Sequence, residues 1–122
     1  MYSIIKFLVP LEKSTAIVKI GESMNRIRAG IFTGLRAKGD GVAFDLVDGD
    51  TWDDHVAKMK EFLTEFRAEI DAACAIGADI TIDVAVWPED LERVPFVVVR
   101  QEPDLMRFLA DHGVAIEVSV YA

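Results

Sequence analysis

Two histidines are the side chains of this sequence best suited to acid–base or metal chemistry. His55 follows Asp53 and Asp54, and a histidine beside carboxylates can serve as a base or a ligand because its pKa lies near neutrality. His112 precedes Gly113 at the predicted end of a helix, where an imidazolium ion meets the negative end of the helix dipole. We therefore predict a structural role for His112 and keep His55 as a candidate ligand-binding residue.

A basic set in the N-terminal third could bind an anion. Arg26 and Arg28 are two positions apart, so they share one face on a strand but diverge by about 200° on a helix. On a strand they would converge with Arg36 and Lys38 on a carboxylate or phosphate, which the planar guanidinium group recognises well. The favoured alternative is charge balance, in which these cations face the acidic remainder of the domain.

The two tryptophans complete the candidate set. Trp87 lies on the strand face opposite the apolar residues, beside Thr81 and Asp83, where a partly exposed indole would anchor a partner or ligand. The favoured alternative is packing under the loop between Pro88 and Pro95. The candidate ligand-binding residues are Arg26, Arg28, Arg36, Trp52, His55 and Trp87.

An acidic cluster raises the question of a hard-cation site, since Ca²⁺ and Mg²⁺ take carboxylate oxygens. The EF-hand pattern is absent, because Gly49 lies between two aspartates and residue 55 is histidine. The cluster is typical of a turn followed by a helix N-terminus, so we predict no metal and no cofactor. The sequence also lacks the common nucleophile, Walker, dinucleotide and zinc motifs, which disfavours an enzyme. The cluster comprises Asp45, Asp48, Asp50, Asp53 and Asp54.

Composition predicts a single domain over residues 1–122. Of the residues, 52% are hydrophobic and 28% are charged, the balance of a globular protein. Charges interrupt every apolar run and the first residues do not form a signal peptide, so we expect a cytoplasmic protein without membrane association. The single cysteine, Cys74, is predicted to be a small buried residue.

Charge is unevenly distributed along the chain. The net charge of −8 argues against nucleic-acid binding, which needs a clustered cationic surface. Residues 1–38 carry a net +5, whereas residues 39–122 carry −13. This asymmetry suggests either internal pairing between the two parts or recognition of a charged partner.

Hydrophobic periodicity defines the C-terminal elements. Apolar residues recur at steps of three and four and then alternate, which predicts a long helix followed by a half-buried strand. An unbroken apolar run predicts an interior strand that runs parallel to the last strand and is joined to it by a right-handed crossover. In chain order the predicted elements are a helix from Thr51 to Gly77, strands at Ile80–Val86 and Phe96–Val99, a helix at Pro103–Gly113 and a strand at Val114–Val120.

The N-terminal third is predicted to begin with a strand at Tyr2–Val9. Residues Ser14–Ile27 fit either a helix or, in part, a strand; we favour the helix, although Gly21 weakens it. Ala29–Leu35 and Gly41–Val47 resemble the two strands of a hairpin. The whole chain is thus predicted to be an α+β fold: a mixed β-sheet with helices mainly on one face, in ferredoxin-like βαββαβ order with an appended β-α-β.

The C-terminal half resembles a family of small bacterial proteins that is known only as a domain of unknown function. The resemblance covers about residues 51–121 and rests on the long helix, a helix ending in Asp111-His112-Gly113 and a final strand ending in Val118-Ser119-Val120-Tyr121. These features mainly determine the fold, and the resemblance implies no activity and no catalytic residues.

We predict a non-catalytic binding or interaction module. Self-association through the free edge of the last strand would make it a homodimer, and its acidity would suit a basic protein partner. The alternative is a small enzyme or ligand sensor that binds an anionic small molecule near Arg26, Arg28 and His55.

Overall fold

A four-stranded mixed sheet organises the computed structural model, which describes residues 1–49, 51–93 and 99–121. The strand order is β2-β1-β3-β4; β1 is antiparallel to β2 and β3, and β3 is parallel to β4. The predicted α+β class is confirmed. The strands are β1 (Tyr2–Leu8), β2 (Gly41–Asp48), β3 (Asp79–Val86) and β4 (Val114–Val120), and the helices are α1 (Ser14–Ile27), α2 (Trp52–Glu65), α3 (Arg67–Ala75), α4 (Pro88–Arg93) and α5 (Pro103–Asp111).

The core lies on one side of the sheet. Along β1 the odd-numbered residues are buried and the even-numbered residues are partly exposed, as the period of two requires. Ile5 lies between Phe44 of β2 and Ile82 of β3, so the inward residues of neighbouring strands form continuous rows. Apolar residues of the helices pack on these rows in a single cluster that includes Ile17, Met24, Met59, Phe62, Leu63, Phe66, Ile70, Leu105 and Leu109.

Residues Ser14–Ile27 form helix α1, which settles the choice between helix and strand. Gly21 is buried in this helix, and a Cβ atom built on it would lie 2.4 Å from the Phe32 ring. Gly21 has a low helix propensity, but its lack of a side chain makes room for the Phe32 ring that packs on it.

The predicted strand at Ala29–Leu35 is wrong, because this segment forms turns and irregular backbone. Asn25 takes up both main-chain groups of Phe32: its side-chain amide donates to the Phe32 carbonyl (3.1 Å) and its Oδ1 accepts from the Phe32 N–H (2.8 Å). These groups are consequently unavailable to a strand ladder. The element order up to β3 is therefore βαβααβ, and β2 pairs with β1 instead of a hairpin partner.

The predicted long helix is present but is interrupted at Phe66, which separates α2 from α3. It begins where expected, with Thr51 Oγ1 accepting the Asp54 N–H (3.2 Å). Its C-terminal end is followed by Gly77 with a positive φ of 85°. The prediction that Cys74 is buried is wrong: its side chain is exposed, and Ala73 occupies the buried position.

Helix α4 was not predicted. Trp87 and Asp90 cap its first turn, since the Trp87 N–H donates to Asp90 Oδ2 (2.8 Å). The Met1 ammonium group donates to the other oxygen of Asp90 (2.8 Å) and holds the pKa of that carboxyl below its usual value. Of the predicted strand Phe96–Val99, only Val99 falls within the described residues; the described parallel partner of β4 is β3.

Candidate functional site

His55 is a buried connector between three elements. Its ring has 0% exposure, Nδ1 lies 2.8 Å from Ser3 Oγ and Nε2 lies 2.9 Å from the Gly49 carbonyl oxygen. A carbonyl oxygen only accepts, so Nε2 carries a proton and donates. Both ring nitrogens are occupied within the fold, and neither is presented to a ligand.

Trp52 lies three residues before His55, at the start of α2. Its indole Nε1–H donates to the Arg100 carbonyl (2.7 Å), and its ring stacks on His55 with 6.3 Å between centroids. The indole is half-buried and joins α2 to the chain that leads into α5. The structure thus brings Trp52 and His55 together as packing partners.

The three candidate arginines have three separate partners. Arg26, on α1, donates to Ser23 Oγ (2.6 Å). Arg36 Nε lies 3.6 Å from Asp40 Oδ1 in the loop before β2. The structure does not bring these guanidinium groups to one anion site, because α1 continues through Arg26 where a strand would have aligned it with Arg28.

Arg28 follows α1 and forms an ion pair with Glu65 of α2, with its guanidinium group 5.3 Å from the centre of the Phe66 ring. The adjoining cavity measures about 60 Å³, room for about two water molecules. Lys6 likewise pairs with Asp83 (3.4 Å). Arg28 and Lys6 thus pair with acidic residues of the C-terminal two-thirds of the chain, as the charge-balance prediction expects.

A larger groove of about 400 Å³ runs between α1 and α3 and includes Lys19, Arg26 and Glu69. Glu69 Oε2 is buried there without a hydrogen-bond partner. A buried carboxylate oxygen repels an anionic ligand, so the arginine in this groove does not create an anion site.

The side of the sheet opposite the core, which we call the open face, carries exposed side chains on its two edge strands, β2 and β4. Ala43, Asp45, Ala115 and Glu117 are exposed there, in contrast to the buried or half-buried residues between them. Strand register aligns the open face in three rows across β2, β1, β3 and β4: Asp48–Tyr2–Ala85–Ser119, Asp45–Ile4–Asp83–Glu117 and Ala43–Lys6–Thr81–Ala115.

A polar network links these rows. Lys6 Nζ lies 3.4 Å from Asp83 and 3.8 Å from Glu117, and Ser119 Oγ donates to Asp83 (3.0 Å). Lys6 is the basic residue of the three rows and is outnumbered by carboxylates. The open face is therefore negatively charged even after its internal ion pairs form.

Tyr2 and Asp45 form the second part of the network, with the Tyr2 hydroxyl donating to the carboxylate. This hydrogen bond, helped by partial burial and by the negative charges of Asp45 and Asp48, raises the pKa of Tyr2 to about 12. The phenol stays protonated because its ionisation would place another negative charge on an acidic surface.

An acidic hollow lies at one end of the open face, beyond the Asp48–Tyr2 row. It measures about 360 Å³, and Asp48 and Glu89 have no ion-pair partner among residues 1–49, 51–93 and 99–121. Asp90 is already engaged by the Met1 ammonium group. The residues that line the hollow in the described part of the chain are Asp48, Gly49, Trp87, Glu89, Asp90 and Arg93.

Trp87 borders the hollow and is 43% exposed, which agrees with the partly exposed alternative and not with the favoured prediction of packing under the loop between Pro88 and Pro95. Its ring stacks on Tyr121 with 4.2 Å between centroids and 13° between planes. The pair extends the cross-strand rows, because the Tyr121 N–H donates to the Val86 carbonyl (2.9 Å). An exposed aromatic pair thus adjoins two carboxylates, Asp48 and Glu89, that have no ion-pair partner within the described residues.

Comparison with known proteins identifies no relative of this chain. No protein family model, curated protein or solved structure matches the chain. Within the described ranges, no three His, Cys, Asp or Glu side chains are grouped so that they could hold a metal ion. None of the helices that the structure describes is long and apolar enough to cross a membrane.

Sequence reasoning singled out Trp87 but missed Tyr2, Lys6 and Glu117 as parts of a surface. The alternating pattern of each strand could have indicated this surface, because the residues between the buried positions lie together on the opposite face of the sheet. What the sequence lacks is the strand order, and only that order places Lys6 beside Asp83.

Proposed function

We propose that this chain is a non-catalytic interaction module that binds a basic segment of a partner protein. The observation that carries the proposal is the acidic hollow, where Asp48 and Glu89 adjoin Trp87. An arginine or lysine side chain complements both, because a cation forms charge-assisted bonds to carboxylates and is attracted to an indole face. A volume of about 360 Å³ suits one long side chain better than a large cofactor.

The open face extends this recognition over a wider area. Asp45, Asp48 and Glu117 present negative charge across the sheet, and a partly buried Ile4 adds apolar contact area. The net charge of −8 attracts a basic partner from a distance and accelerates its encounter. This combination favours a protein partner over an anionic small molecule.

The alternative, an enzyme or sensor for an anion near Arg26, Arg28 and His55, has little support from the geometry. Arg28 is paired with Glu65, and the nitrogens of His55 are bonded inside the fold. The cytoplasmic location remains a prediction from the sequence.

The test is isothermal titration calorimetry with a synthetic peptide of nine arginine residues, carried out at two salt concentrations. We expect binding that weakens as salt rises, because exposed charges are screened. The variant D48N/E89Q should weaken binding at least tenfold at low salt, since it removes the two carboxylates of the hollow that have no ion-pair partner within the described residues.

The matched control is E61Q/D71N, which removes the same number of exposed carboxylates from α2 and α3. This control should bind the peptide within about twofold of the wild-type protein, because distant surface charges contribute weakly. Equal losses in both variants would mean that binding follows net charge alone, and the hollow would then not be the site.

A further inference from the structure

The outer edge of β4 has no strand partner within the described residues, because β4 lies at the end of the strand order. The Tyr121 N–H donates toward β3, and successive residues of a strand direct their N–H and C=O groups to opposite sides. Ile116, Val118 and Val120 therefore direct these groups away from the sheet.

Apart from the charge of Glu117, this edge lacks the features that normally protect an edge strand. The sequence of β4, VAIEVSV, has no proline and no lysine, and its pairing with β3 has no register shift. Val118 is 41% exposed and Val120 is 68% exposed. By contrast, β2 at the other edge has a register shift in its pairing with β1 and carries Asp45 and Asp48.

We infer that β4 pairs with β4 of a second copy of this chain, antiparallel and with Val118 opposite Val118. The inference rests on the proposed role as an interaction module but uses a different surface. An antiparallel partner is required because two identical edges related by a two-fold axis run in opposite directions.

Side-chain chemistry selects the register. With Val118 opposite its own copy, Glu117 faces Ser119 of the second copy and Ala115 faces Tyr121, so a small residue meets a large one. The neighbouring register, shifted by two residues, sets Glu117 opposite Glu117, and like charges directly opposite destabilise a strand pair. The favoured register also pairs Ile116 with Val120 on the helix side.

The dimer would form a continuous eight-stranded sheet. Ile116, Val118 and Val120 of both copies supply on the order of six backbone hydrogen bonds across the axis. The open faces of both copies lie on the same side of that sheet, so the dimer offers two acidic hollows to a partner.

The first test compares two substitutions at one position by analytical ultracentrifugation. V118P removes the outward N–H and leaves the bonds to β3 intact, whereas V118T keeps both the N–H and a β-branched side chain. We expect a dimer for the wild-type protein and for V118T, and at least a tenfold weaker dimer for V118P with unchanged circular dichroism.

A second pair of variants tests the register independently of folding at Val118. In the proposed register residue 119 faces Glu117 of the second copy, so S119K should tighten the dimer and S119E should weaken it, each several-fold. Both variants lose the Ser119 hydrogen bond to Asp83, so the comparison between them reports the sign of the charge at residue 119. The same affinity for both would exclude this register.

Other outcomes overturn the dimer. A wild-type protein that remains monomeric at high micromolar concentration contradicts it, and so does a dimer that V118P leaves intact. Protected amides at residues 116, 118 and 120 in a monomer would mean that the edge is paired within the chain. Because the arginine peptide binds at the hollow, monomeric V118P should still bind it, so that failure of the dimer and failure of the proposed function give different results.

Discussion

Replacing Gly21 by alanine sets two opposing effects against each other. Alanine favours a helix interior by about 1 kcal/mol over glycine. However, the new Cβ would lie 2.4 Å from the Phe32 ring, more than 1 Å inside the roughly 3.5–4.0 Å of normal carbon contacts. Two hydrogen bonds to Asn25 hold the Phe32 backbone, so the ring can move aside only by rotating about its own side-chain bonds. Overpacking of this kind costs about 1–3 kcal/mol.

We expect G21A to lower the free energy of unfolding by about 1 kcal/mol, measured by urea denaturation. In an F32A background the obstacle is gone, so the same substitution should raise stability by up to about 1 kcal/mol. The sign reversal is the diagnostic result, and the double-mutant cycle isolates the contact. Stabilisation by G21A in the otherwise wild-type protein would refute the conclusion that Phe32 packs on this glycine.

Three further predictions concern titration and burial. In a Y121F background, the absorbance of tyrosinate should titrate near pH 12, and D45N should move the Tyr2 pKa back toward 10; an unchanged pKa would contradict the hydrogen bond. Because the folded pKa of Tyr2 is raised, its contribution to stability is complete below about pH 10 and disappears as the pH rises toward 12. D90N should lower the free energy of unfolding at pH 7. Because the pKa of Asp90 is lowered in the folded protein, the difference from wild type should shrink as the pH falls below about 4. A difference that stays constant with pH in urea denaturation would argue against the ion pair of Asp90. H55A should cost about 3 kcal/mol of unfolding free energy by stranding the Ser3 hydroxyl and leaving a cavity, whereas unchanged stability would show that the imidazole is not structural.

Local patterns predicted most of the secondary structure. Alternation at Ile80–Val86 and helical spacing after Thr51 are sufficient, because each pattern puts one apolar side toward a core. Ala29–Leu35 shows where such reasoning stops. Its apolar residues suit a strand, but a side chain of the preceding helix, Asn25, captures the Phe32 backbone, and no local pattern reveals that contact.

The candidate site was less predictable than the fold. Grouping Arg26 with Arg28 required a strand at these positions, but Arg26 lies in the last turn of α1. The predicted cluster of basic side chains therefore does not form. The open face needed the strand order, which depends on contacts between distant parts of the chain. Trp87 was among the candidates, but its 43% exposure agrees with the partly exposed alternative and not with the favoured packing, and alternation alone does not explain it because Thr81 and Ala85 on the same face are buried.

Every pair of adjacent strands in the described sheet is separated along the chain by at least one helix. Even β1 and β2, which are consecutive strands, are joined through α1, and β3 reaches β4 only through α4 and α5. No two of these strands can form a hairpin that acts as a local folding nucleus. The chain must therefore lose the entropy of closing long loops before strand pairing lowers its free energy. We therefore expect folding on the millisecond-to-second scale, with the edge strands β2 and β4, each held by a single strand within the described residues, as the strands whose amides exchange first in the monomer.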